Sequence, residues 1–161
     1  MIQPKGILRA WVAMSALVLL PAAAAETLPE ADTREVRSYA LTEAALGKYV
    51  DATRRLSAIP LDCSADGKDV GNLTDAAARI DAMPGGKAAV RSAGLTSREY
   101  VVFAFALIEN AFASYALDQP GGKLPPGMSM ANVEFLRAHA GVIEQLANDT
   151  EVAGCAGEGG G

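Results

Sequence analysis

Residues 95–117 read LTSREYVVFAFALIENAFASYAL, and no other part of the chain constrains the fold as strongly. Thr96 followed three residues later by Glu99 is a capping box: the threonine hydroxyl accepts from the N3 amide and the glutamate reaches back to the N-cap amide. Leu95 before the cap and Tyr100 at N4 occupy the two positions of a hydrophobic staple. No charge interrupts Tyr100 to Ile108, and Ala111, Phe112, Ala113, Tyr115, Ala116 and Leu117 continue the apolar run. A helix over 97–117 that is apolar nearly all round must be enclosed by other elements, so it is expected at the centre of an all-α domain. Pro120 lies just beyond its end, where a helix cannot continue.

The same start signal, leucine then threonine, recurs at Leu41-Thr42 and Leu73-Thr74. A threonine at the N-cap satisfies an orphan backbone amide, so helices are expected over 43–58 and 75–83, capped by Thr42 and Thr74. The first places Leu46, Tyr49, Val50, Thr53 and Leu56 on one face, with Asp51 and Arg55 outside at i,i+4. Pro84-Gly85-Gly86 is a turn signal, and a short helix over 87–92 is expected to end at Gly94 as a C′ glycine. A last helix over 131–148 follows the Pro/Gly-rich segment 119–130, with Phe135, Leu136, Ala140, Ile143, Leu146 and Ala147 inward. The expected fold is therefore a small all-α bundle of four main helices plus one short one. The short helix, counted as a fifth element, brings the ends of the first and last helices to the same pole.

Residues 1–25 carry Lys5 and Arg9, then the apolar run from Trp11 to Leu20, Pro21 and four alanines. This is the charged, apolar and small-residue order of a secretory signal, with Ala23 and Ala25 fitting cleavage before Glu26. The run of about ten apolar residues falls short of the ~20 that a membrane-crossing helix needs, so no stable anchor is expected after cleavage. Residues 26–35 are polar around Pro29 and read as a flexible leader, with order beginning at Val36; 36–41 has a weak alternation compatible with extended backbone. The domain is expected over 36–148, and residues 149–161 form a Gly-rich tail.

Export changes how the cysteines are read. Cys63 and Cys155 are the two in the chain, and in an oxidising compartment an even count points to a disulfide rather than to two buried thiols. The net charge of −5 becomes about −7 once the basic leader is removed, and an acidic surface without a basic cluster is a poor match for nucleic acid. A periplasmic or secreted location follows from the leader.

The inventory of reactive groups is thin. His139 is the one histidine, so a three-histidine zinc site is excluded, and no metalloprotease, CxxC, nucleophile-elbow or Walker signature occurs. His139 lies four residues from both Phe135 and Ile143, on the apolar face of its helix. Glu109 interrupts the apolar surface of the 97–117 helix and needs a partner, which makes Glu109 and His139 a candidate polar pair, as an interhelical lock or a proton-transfer couple. Met128 and Met130, with His139, form a candidate copper-handling set, because thioethers suit Cu(I); the same methionines also serve as loop anchors. A haem site lacks a facing axial ligand, and no cofactor is expected. Asn72-Leu73-Thr74 and Asn148-Asp149-Thr150 match the glycosylation sequon, which matters only in a cell that glycosylates its exports.

These features lead to the expectation of a non-enzymatic exported module that binds a protein partner or a small apolar ligand. The alternatives are a metal-handling or acid/base site on Glu109, His139, Met128 and Met130, or a structural envelope or secretion-associated protein. The ligand-binding reading requires that Phe103, Phe105 and Phe112 do not simply fill the interior.

Overall fold

The computed structural model describes residues 28–60 and 70–150. They are all-α, with seven helices and no strand among the described residues: α1 Glu30–Ser38, α2 Glu43–Ser57, α3 Leu73–Ala82, α4 Gly86–Ser92, α5 Ser97–Leu117, α6 Met130–Ala138 and α7 Ala140–Asp149. The expected signal peptide, most of the 61–71 loop, both cysteines with their proposed bridge, and the tail from residue 151 lie outside the described residues.

α5 starts and stops where its sequence predicts. Thr96 accepts from the Glu99 amide and Glu99 accepts from the Thr96 amide, completing the capping box. The glutamate gains most from that backbone bond and next from the Thr96 hydroxyl, and the two hold its carboxyl below the ordinary range. Gly94 (φ +80°) takes the left-handed conformation that a side chain would strain, closing α4 and setting up the Leu95–Thr96 entry.

The other helices gather around α5. α2 runs antiparallel to it: Thr53 and Tyr49 meet Tyr100, and Tyr49 also lies against Phe103 with ring centroids 4.8 Å apart. Tyr39 meets Phe103 edge-on at 5.9 Å, so Phe103, 1% exposed, sits between aromatic rings from two segments. Burial of such a side chain contributes about 1.5–3 kcal/mol by transfer alone. α7 lies beside α2 and runs the same way, with His139 near Glu43 at one end and Arg54 on Asp149 at the other. α5 is long and apolar enough to cross a bilayer, but here α1, α2, α3, α4 and α6 all pack against it, as expected of the core helix of a bundle.

Three expectations are corrected. The flexible leader expected over 26–35 is already helical from Glu30, and Val36, where order was expected to begin, lies inside that helix and is fully buried. Charge order explains this: Glu30 and Asp32 stand in the first turn, Arg37 in the last, and Arg34 bonds Glu30 at i,i+4, all favourable to a helix whose apolar content is low.

The cap of α3 is Asn72 rather than Thr74. Asn72 accepts from the Asp75 amide and donates to its carboxylate, the Leu73 amide goes to Asp32, and the Thr74 hydroxyl receives Arg98.

The single last helix expected over 131–148 is two helices meeting at His139, whose ψ of 12° departs from helical geometry. His139 Nδ1 lies 2.8 Å from the Phe135 carbonyl, and Gly141 follows two residues on. A side chain competing for an i−4 carbonyl next to a glycine is a common cause of a helix break.

Candidate functional site

One face of α5 carries Ser97, Val101, Ala104, Ile108, Phe112 and Tyr115 at steps of three or four, the spacing of a continuous helical stripe. At its start Ser97 donates to Asp81 of α3. Val101 and Ala104 are buried at 5% and 4%, Ile108 is half-buried, and Phe112 and Tyr115 stand out at 70% and 54%. Helix length accounts for the change. α3 has ten residues and α5 twenty-one, ~15 Å against ~31 Å at 1.5 Å per residue, and Asp81 and Thr74 of α3 both bond the first turn of α5, at Ser97 and Arg98. Anchored near Ser97, it leaves the far half of the stripe bare.

Charges beside the bare half are already engaged. Arg37 donates to Glu109 at 2.9 Å and to the Pro126 carbonyl at 3.4 Å, tying α1 and the 118–129 loop to α5. Arg137 of α6 donates to the Ser114 hydroxyl at 2.8 Å and to Asp118 at 2.7 Å. Each pair is partly exposed and worth only about 0.2–1 kcal/mol to stability. Their larger effect is to leave aromatic surface bordered by arginines whose charge is balanced locally.

The structure does not bring the sequence-proposed site residues together. Glu109 is held by Arg37. His139 stacks on Phe135 with centroids 4.1 Å apart, bonds the Phe135 carbonyl through Nδ1, and turns Nε2 toward Glu43 at 3.6 Å. The expected Glu109–His139 pair is thus replaced by two separate sets of partners, because Arg37, at the end of α1 and just past the segment read as leader, reaches Glu109. Met130 begins α6 and His139 follows its end; nine residues of helix separate them by ~13 Å, well beyond shared coordination. Met128 is half-buried one step further back, in the loop. Among the described residues no three His, Cys, Asp or Glu side chains come together as a metal site.

Among the described residues, buried hydroxyls cluster at Tyr49, Thr53 and Tyr100. Tyr100 and Thr53 share a hydrogen bond of 3.1 Å, and Tyr49 stacks on Tyr100 at 4.9 Å. Burial is the main reason that both phenols are pushed above the ordinary range, most strongly at Tyr49. Both rings are enclosed in the core. Nearby in sequence, Asn110 donates to the Ala106 carbonyl while its Oδ1 meets no donor, the one buried side-chain polar atom among the described residues without a partner.

Sequence reasoning overlooked Phe112 and Tyr115 as a site. Both belong to an apolar run, and only the lengths and positions of the neighbouring helices reveal that they face outward. Comparison with protein-family models, with curated proteins and with solved structures finds no match to this chain.

Proposed function

We propose that this chain is an exported, non-enzymatic interaction module whose docking face is the bare half of α5, and that its occupant is a protein. The observation that carries the reading is the adjacent exposure of Phe112 and Tyr115, one helical turn apart, at 70% and 54%. Large aromatic side chains presented together at the surface are costly to leave in water and are typical anchors of protein interfaces. Arg37 and Arg137 flank them, and arginine with aromatics is the composition that interfaces favour. A small apolar ligand fits less well, since such ligands sit in concave sites and Phe112 stands proud of the helix. The metal-handling alternative loses support with the separation of His139 from Met130. Export through residues 1–25, with Cys63 and Cys155 joined in an oxidising compartment, completes the proposal.

A photo-crosslinking amino acid placed at Phe112 in the producing cell tests the docking face, with the same group at exposed Glu43 as control. A discrete crosslinked species from position 112 and none from 43 is the expected result. Equal or absent crosslinking at the two positions overturns the docking face. Mass spectrometry of the exported protein tests the rest: the expected chain begins at Glu26 and lacks the two hydrogens lost to a disulfide.

A further inference from the structure

We draw no further inference here: the strongest candidate, the bare outer face of the second half of α5 around Phe112 and Tyr115, belongs to the docking surface already proposed, and nothing in the structure shows which protein, a second copy included, covers it.

Discussion

The two halves of α5 are built from the same kinds of residue and end up in opposite environments. From Ser97 to Ile108, Tyr100, Val101, Val102, Phe103 and Leu107 are all buried; from Glu109 to Leu117 only Asn110 and Ala113 are, while Phe112 and Tyr115 face solvent. Composition does not distinguish Phe103 from Phe112. Their neighbours do: Phe103 packs between Tyr39 and Tyr49, whereas Phe112 faces solvent. The comparison separates residues that hold the fold from residues free to do something else.

The sharpest way to break it is to truncate one phenylalanine in each half. Phe103→Ala removes a ring packed against Tyr39 and Tyr49 and is expected to cost about 3–5 kcal/mol, enough to unfold a marginal domain. Urea denaturation followed by circular dichroism reads this directly, and a loss below about 1 kcal/mol would mean that Phe103 is not central.

Next in size is the start of the buried half. Thr96→Ala removes the capping hydroxyl and is expected to lower stability by about 1 kcal/mol, measured the same way. An unchanged midpoint would show that Leu95 and Tyr100 fix the helix start without the cap.

The capping box also carries a pH signature. Glu99 has its folded-state pKa lowered, chiefly by the Thr96 backbone amide and then by its hydroxyl. Its contribution is therefore complete above the ordinary glutamate range and is lost as pH falls through the lowered value. Glu99→Gln keeps an acceptor at N3 but cannot titrate, so the wild-type advantage should shrink as pH is taken from about 6 to about 3. An advantage that stays constant over that interval contradicts the lowered pKa.

The smallest stability effect belongs to the bare half. Phe112→Ser with Tyr115→Ser should change unfolding free energy by no more than about 0.5 kcal/mol for each substitution. Under the proposed function the same double variant abolishes the crosslink to a partner when the photoreactive group is moved to neighbouring Ile108. A large destabilisation would place these rings in the core and remove the contrast between the halves.

The sequence was most legible where local chemistry sufficed. Thr42 caps α2 by accepting from Ala45, and Asp51 meets Arg55 at 3.0 Å, both as its pattern predicts. The α5 box needs only four adjacent residues. α1 escaped detection because Val36 is its sole buried residue, which leaves no apolar period to find; the Glu30–Arg34 spacing was the available signal. At α3 two good caps, Asn72 and Thr74, stand two residues apart, and the choice depends on Asp32 and Arg98 arriving from elsewhere. The break at His139 was hinted by Gly141 but hidden by a good inward pattern on both sides. The candidate face was least legible, since exposure of an apolar residue is a property of its neighbours' lengths.

One consequence of α1 concerns time. Its partners all lie far downstream: Leu73 forty-one residues from Asp32, Arg98 sixty-three from Glu35, Glu109 seventy-two from Arg37. Just after α1, Leu41 and Tyr39 are clasped by Asn132 across ninety-one and ninety-three residues. A chain wired this way has high contact order in its α1 segment, so the first of the described helices is among the last that can lock. During synthesis, residues 30–41 complete this set of tertiary partners only when the segment carrying Asn132 has followed. The N-terminal clasp thus postpones completion of the native structure until nearly the whole domain has been made.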